Sequence, residues 1–168
     1  MADAIPLMIK NGTFRCELFD LHVAFTTLSL NTIRKLLDLV FEKPYENERA
    51  IETIHYFVET SEAGLVKNIN DNNESLLKAL ADLEAKRRNI TVLGNTLKLN
   101  IENAKRQLTE AKRKRNKDQI RQATTAYDKV RRPITEYNET LKTIKNIEKL
   151  ISADQRKLKR IIDIKEEL

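Results

Sequence analysis

Two small groups of residues in the first third of the chain have side chains that could take part in catalysis or bind a metal. Glu52 and His55 have the Glu-x-x-His spacing of di-iron helical bundles, and Cys16 precedes His22 by six residues. A di-iron site needs a second copy of the motif and two further carboxylates on facing helices, and the sequence has no second copy. One cysteine and one histidine supply too few ligands for a zinc site. We therefore interpret both groups as structural and expect neither a metal nor a cofactor.

The other sequence patterns that are typical of enzymes are missing. The chain has no glycine-rich loop to hold a phosphate and no Gly-x-Ser-x-Gly motif, and it contains only 3 glycines. Tyr127 and Tyr137 fall on apolar positions of a heptad repeat, which predicts that their rings are packed between helices. We expect no catalytic residue, and we predict that the protein is not an enzyme.

A cluster of cationic residues is the feature with the clearest functional implication. Residues 105–132 hold 11 Lys/Arg and 3 Asp/Glu, a net charge of +8, whereas residues 1–74 have a net charge of −5. Such a charge density attracts phosphate backbones, acidic proteins or anionic lipid headgroups through salt-sensitive interactions. A helix face that is merely solvated is the simpler interpretation of the same charges. We define the basic tip as Lys112, Arg113, Lys114, Arg115, Lys117, Arg121, Arg131 and Arg132.

Aromatic residues are not interleaved with these cations, apart from Tyr127, which the heptad repeat already assigns to packing. Sequence-specific reading of single-stranded nucleic acid depends on stacking of bases on such rings. If nucleic acid binds to the basic tip, we therefore expect contacts to phosphates, which position a protein without reading sequence.

The composition indicates an all-α protein. The 168 residues are 40% hydrophobic and 33% charged, with 3 glycines and 3 prolines, which is poor material for a turn-rich β fold. A single cysteine excludes an intramolecular disulfide and favours an intracellular, cytoplasmic protein. The longest apolar-rich run, Leu18 to Leu30, is interrupted by Asp20 and His22, so neither a signal peptide nor a transmembrane segment is predicted.

Residues 1–67 are predicted to form a small helical head. Apolar residues between positions 18 and 41 recur at helical spacing, and Asn31 is placed to cap a helix that Pro44 ends. A second helix is predicted from about residue 46 to 60, with Gly64 as its stop signal. The dipeptide Asn-Gly within residues 7–16 favours either a short β-hairpin or an extended arm.

Residues 68–168 are predicted to form a long antiparallel coiled-coil hairpin. Asp71 and Glu74 have the spacing of a capping box and would begin its first helix. The turn is predicted at Asn116 in a left-handed conformation, with Asp118 as the cap of the return helix. The predicted apolar seam between the two helices includes Leu80 and consists mainly of Leu83, Ile90, Leu97, Ile101, Val130, Ile134, Tyr137, Leu141 and Ile144.

Folding the chain about Asn116 gives a simple pairing rule, in which residue i lies opposite residue 232 − i. The rule is approximate; it places Ile90 near Leu141 and Gly94 beside Tyr137, where the missing side chain would leave room for the ring. Pro133 predicts a kink in the return helix. Alternatively, Pro133 starts a separate helix after one at residues 118–131, which would give a three-helix bundle.

These features favour a non-enzymatic helical interaction or assembly protein that presents the basic tip on a hairpin. We expect the protein to bind a protein partner or a second copy of the chain, because heptad surfaces can continue into intermolecular packing. One alternative is a nucleic-acid-binding protein that uses the basic tip for phosphate contacts. Another is a small effector or inhibitor of a specific host or phage protein. All three hypotheses depend on surface residues rather than on an active site.

Overall fold

The computed structural model describes residues 25–26, 28–42 and 44–168, with the side chains of residues 39, 44–47, 49 and 50 excepted. Within this part of the chain the protein is all-α, as predicted. The predicted antiparallel hairpin is also confirmed, because the two long helices pack against each other along it. The β-hairpin alternative at residues 7–16 lies outside the described residues. The helices are α1, Leu30–Phe41; α2, Pro44–Lys114; and α3, Lys117–Glu166.

The chain forms two compact units, which we call the head unit and the hairpin unit. The head unit contains the described residues up to Asn72 together with Leu150–Leu168, and the hairpin unit is Asn73–Lys149. The domain boundary predicted from the sequence, between residues 67 and 68, stays a prediction. The structure adds that the last 19 residues of the chain, which include the end of α3, belong with the head helices.

Helix α1 begins after Ser29, whose hydroxyl accepts a hydrogen bond from the backbone N–H of Thr32 at 3.2 Å. The prediction that Asn31 caps this helix is wrong. A capping residue has a non-helical backbone, which Ser29 has, whereas Asn31 lies inside the first turn. Pro44 does not end α1, which ends at Phe41, but is the first residue of α2. Proline is favoured there because its missing N–H has no helical partner to lose.

Helix α2 runs without interruption through the region where the sequence predicted one helix to end and another to begin. Both the stop at Gly64 and the new start at Asp71 are wrong. A glycine stop requires a positive φ, and among the described residues only Gly94 and Arg115 have one. Residues 60–75 contain one glycine and no proline, so nothing in this stretch prevents the helix from continuing.

The head unit has one apolar core, built from all three helices. Phe25 and Phe57 meet edge to face, with ring centroids 5.4 Å apart. The guanidinium of Arg160 on α3 donates hydrogen bonds to the backbone carbonyls of Phe25 and Leu28. The buried residues of this core are Phe25, Ile33, Leu36, Leu37, Val40, Ile54, Phe57, Val58, Ile161 and Ile164.

Two ion pairs also link the end of α3 to the other helices of the head unit. Lys165 Nζ lies 2.6 Å from Glu62 Oε2 on α2, and Arg34 on α1 lies 2.6 Å from Glu167. Both pairs are partly exposed, so we expect each to contribute little to stability compared with the burial of Ile164. The core rather than the ion pairs therefore holds the end of α3 in the head unit.

Helix α3 runs through Pro133 as a single helix, so the three-helix alternative is wrong. A proline inside a helix costs roughly 3 kcal/mol, because it removes one backbone hydrogen bond and crowds the preceding turn. Val130 and Ile134, on either side of Pro133, are both half-buried in the hairpin unit. Their burial gives the helix an apolar seam to continue along, which offsets that cost.

Gly94 interrupts the helical backbone of α2, with φ +41° and ψ −127°. This conformation is open to glycine and strained for any other residue. The prediction that Gly94 makes room for the ring of Tyr137 is wrong, since no heavy atom lies within 4 Å of the position that a Cβ would occupy. The glycine is therefore required by the backbone conformation and not by a close contact.

The pairing of α2 with α3 in the hairpin unit differs from the rule derived from the sequence. Thr140 is only 7% exposed; its hydroxyl donates to Asp82 Oδ2 at 3.1 Å and accepts from Lys86 Nζ at 2.7 Å. The rule would place Thr140 opposite residue 92. The observed position, between residues 82 and 86, is about two helical turns away. The break at Gly94 lies between this contact and the turn, and the rule assumed an unbroken helix.

The lysine and the aspartate of this cluster also contact each other. Lys86 Nζ lies 2.7 Å from Asp82 Oδ2, and their hydrogen bond lowers the pKa of Asp82 below its ordinary value of 3.8, with Thr140 adding to the effect. A polar group in an otherwise apolar seam specifies register, because any other register would leave it without its partners. We infer that Thr140, Asp82 and Lys86 select the observed pairing of the two helices.

Substitution of the two helical glycines by alanine should have opposite effects. Gly64→Ala should raise the free energy of unfolding by roughly 0.5–1 kcal/mol, because Gly64 lies in regular helix with open space around it. Gly94→Ala should lower it by roughly 1–3 kcal/mol, because alanine is strained at φ +41°. Urea unfolding followed by circular dichroism measures both. Stabilisation by Gly94→Ala would contradict the break in α2.

Asp82→Asn should destabilise the protein at neutral pH but not in acid. Because the pKa of Asp82 is lowered in the folded state, its charge stabilises the fold above the ordinary pKa, and this contribution is lost as the pH falls through the lowered value. Thermal unfolding midpoints of both proteins should therefore converge as the pH is lowered. Glu148→Gln, which removes an exposed carboxylate without an ion pair in the same unit, is the control. If the unfolding midpoint of the Asp82→Asn variant stays below that of wild type in acid, the substitution acts through poorer packing of the asparagine and not through the lost charge.

Candidate interaction surface at the hairpin turn

The turn between α2 and α3 is made by Arg115 and Asn116. Arg115 has a left-handed backbone with φ +54°, and its N–H donates to the carbonyl of Lys112 at 3.2 Å. The sequence had placed Asn116 in the left-handed position. The location of the turn was therefore predicted within one residue, but the roles of the two residues differ from the prediction.

Asn116 is the cap of α3. Its Oδ1 accepts hydrogen bonds from the backbone N–H groups of Asp118 and Gln119, at 3.0 and 3.1 Å. The prediction that Asp118 is the cap is wrong because α3 already begins at Lys117, and the capping position falls on the residue before it. Asparagine caps a helix about as well as aspartate. The turn thus has backbone hydrogen bonds on both sides, which fix the ends of the two helices.

All eight residues of the basic tip are exposed. Three of them have a partner: Lys114 lies 2.9 Å from Glu110, Arg132 lies 2.6 Å from Glu136, and Arg131 lies over the ring of Tyr127. The hydrogen bond from Lys114 lowers the pKa of Glu110. The other five form no ion pair with any residue that the structure describes; they are Lys112, Arg113, Arg115, Lys117 and Arg121.

Two open depressions border the turn. One lies along α2 and is lined by Lys105, Arg106 and Arg113 together with Glu102, Thr109 and Glu110. The other lies between α2 and α3 and has three side-chain amides and three alanines in its lining. The sequence did not single out these amides, because isolated glutamines carry no motif. The residues that line the second depression are Gln107, Glu110, Ala111, Lys114, Gln119, Gln122, Ala123 and Ala126.

The predicted seam residues differ in their degree of burial. Leu97 and Ile144 are buried. Leu80, which the heptad assigned to the seam, is 43% exposed, and the neighbouring Ala79 is half-buried instead. The remaining predicted seam residues are half-buried: Leu83, Ile90, Ile101, Val130, Ile134, Tyr137 and Leu141.

The surface around the turn lacks exposed large hydrophobic side chains. In the hairpin unit the large hydrophobic residues that are exposed are Leu77, Leu80, Val92 and Leu99, and none lies between residues 100 and 149. Ala104 and Ala111 are buried on α2 near the turn. The surface at the turn therefore consists of charged and polar groups with small alanine side chains among them, and no large hydrophobic side chain is exposed there.

The metal-binding hypotheses find no support in the described part of the chain. His55 is exposed, and no group of three or more His, Cys, Asp or Glu residues there could hold a metal ion. Cys16 and His22 lie outside the described residues. Among the helices that the structure describes, none is both long enough and apolar enough to cross a membrane.

Comparison of the chain with protein-family models, with curated proteins and with solved structures finds no match. The functional argument therefore depends on the geometry and the charge of the turn.

Proposed function

We propose that this protein is a non-enzymatic interaction protein that binds a negatively charged partner through the basic tip of its helical hairpin. The observation that supports the proposal is that ten consecutive residues, 112–121, contain five exposed cations that form no ion pair with the described part of the chain. Charges of one sign at this density repel each other and attract polyanions. An acidic partner would relieve that repulsion.

Helix stability explains only some of the charges of the basic tip. Lys112, Arg113 and Lys114 lie in the last turn of α2, where cations interact favourably with the helix dipole. Lys117 is the first residue of α3, where the dipole disfavours a cation by about 0.3–1 kcal/mol. A merely solvated helix end would gain from an acidic residue at that position. Lys117 is therefore better explained by binding than by folding.

The hairpin is a suitable support for such a surface. The turn is held by the hydrogen bonds of Asn116 and Arg115, and the helices on both sides are paired along their seam. Binding groups on paired helices keep their relative positions better than groups on a flexible loop, which lowers the entropic cost of binding. The cations are thus presented together on a fixed backbone.

Neutralisation of the basic tip should abolish polyanion binding. The tip variant carries Lys112→Gln, Arg113→Gln, Arg115→Gln and Lys117→Gln, none of which removes an ion pair within the described chain. Wild type should bind at least one of three probes, namely duplex DNA, polyglutamate or anionic lipid vesicles. Its affinity should fall steeply with salt, and the tip variant should bind at least tenfold more weakly at low salt. Fluorescence anisotropy and vesicle sedimentation measure this, and circular dichroism checks that helicity is kept.

A control variant makes the same change in net charge away from the turn. It carries four lysine-to-glutamine substitutions at exposed hairpin positions, Lys98, Lys142, Lys145 and Lys149. This control should bind nearly as well as wild type. Equal loss in both variants would show that net charge alone attracts the probe, and failure of wild type to bind any of the three would contradict the proposal.

A further inference from the structure

We infer that the partner of the basic tip is nucleic acid, bound through its phosphate backbone without reading of the bases. This inference rests on the proposed function and names the chemical class of the partner. Three observations support it. No large hydrophobic side chain is exposed at the turn, the nearby tyrosine rings are half-buried, and the cations form a row along α2.

A protein partner is disfavoured because the surface has no apolar anchor. Protein interfaces derive most of their binding energy from a few buried residues, most often Trp, Tyr and Arg, and lysine is depleted in them. No large hydrophobic residue is exposed between residues 100 and 149. A phosphate backbone needs no such anchor, since counterion release by lysine and arginine supplies the affinity.

A membrane surface is disfavoured for the same reason. Helices that lie in the lipid interface combine a basic face with Trp, Phe or Leu residues that enter the acyl chains. At the turn the side chains beside the cations are alanines and amides, as in the depression lined by Gln119, Gln122 and Ala126. Amide groups commonly donate hydrogen bonds to phosphate oxygens in complexes with nucleic acid.

The aromatic rings near the turn are not available for base stacking. Residues 100–149 contain two aromatic residues, Tyr127 and Tyr137, and both are half-buried. The guanidinium of Arg131 lies 5.1 Å from the centroid of the Tyr127 ring and covers one of its faces. Non-specific single-strand binding relies on such rings. The contacts should therefore be made to phosphates, and binding should not depend on base sequence.

The cations continue from the turn along the outer side of α2. Ala104 and Ala111 are buried in the seam, and the two residues that follow each of them are rotated away from it by about 100° and 200° around the helix. All four of these following residues are exposed cations: Lys105 and Arg106, then Lys112 and Arg113. Seven residues of helix span about 10 Å, which matches about three base pairs along one strand. An extended row of this kind suits a linear polyanion.

The test is fluorescence anisotropy with labelled DNA duplexes of two unrelated sequences, across a series of salt concentrations. Wild type should bind both duplexes with affinities within about threefold of each other, because no base contact is available. The logarithm of the affinity should fall linearly with the logarithm of the salt concentration. The slope should become shallower in the tip variant by about 0.9 for each lost phosphate contact, and it should stay unchanged in the control variant.

The competing outcomes separate this inference from the proposed function. If polyglutamate or anionic vesicles bind through the basic tip and duplex DNA does not, the proposed function stands and the nucleic-acid inference is wrong. A tenfold preference for one of the two duplexes would also overturn it, since it would require base contacts. If the tip variant binds duplex DNA as well as wild type does, the basic tip is not the binding surface for nucleic acid.

Discussion

The pairing of α2 with α3 is the constraint on which the hairpin unit depends. Helices in proteins gain most of their stability from the packing of an amphipathic face, and α2 and α3 bury one apolar stripe against each other. The stripe alone leaves the register open, because a shift by one heptad again places apolar residues face to face. The hydrogen bonds of Thr140 with Asp82 and Lys86 remove this ambiguity, since in a shifted register the buried hydroxyl of Thr140 would lose both partners.

The same pairing determines where the charges lie. With the seam residues Ala104 and Ala111 turned inward, the basic residues on α2 must face outward, and the turn at Arg115 brings them next to the first cations of α3. No large hydrophobic side chain is exposed between residues 100 and 149 to give the surface another use. The proposed binding of a polyanion is thus a consequence of the heptad pattern together with the sequence of the turn.

The sequence predicted the hairpin and the place of its turn, but it misplaced the helix caps at Asn31 and Asp118 and did not show the long-range packing. The hairpin and a turn within one residue of Asn116 could be predicted, because apolar periodicity and turn chemistry are local signals. Gly94 was recognisable as a defect in the heptad, but its positive φ was not. The burial of Ile161 and Ile164 with Phe25 could not be predicted either, since these residues are more than 130 positions apart. Gly64 was misread because glycine stops a helix only where the chain turns.

Lysine acetylation footprinting of the wild-type protein tests the central claim most directly, because it locates the bound polyanion without any substitution. The protein would be acetylated alone and with a saturating DNA duplex, and the modified lysines would be quantified by mass spectrometry. The account predicts that the duplex protects Lys105, Lys112 and Lys117 and leaves Lys142 and Lys149 reactive. Protection of Lys142 and Lys149 without protection of the three lysines near the turn, or equal protection of both groups, would contradict it.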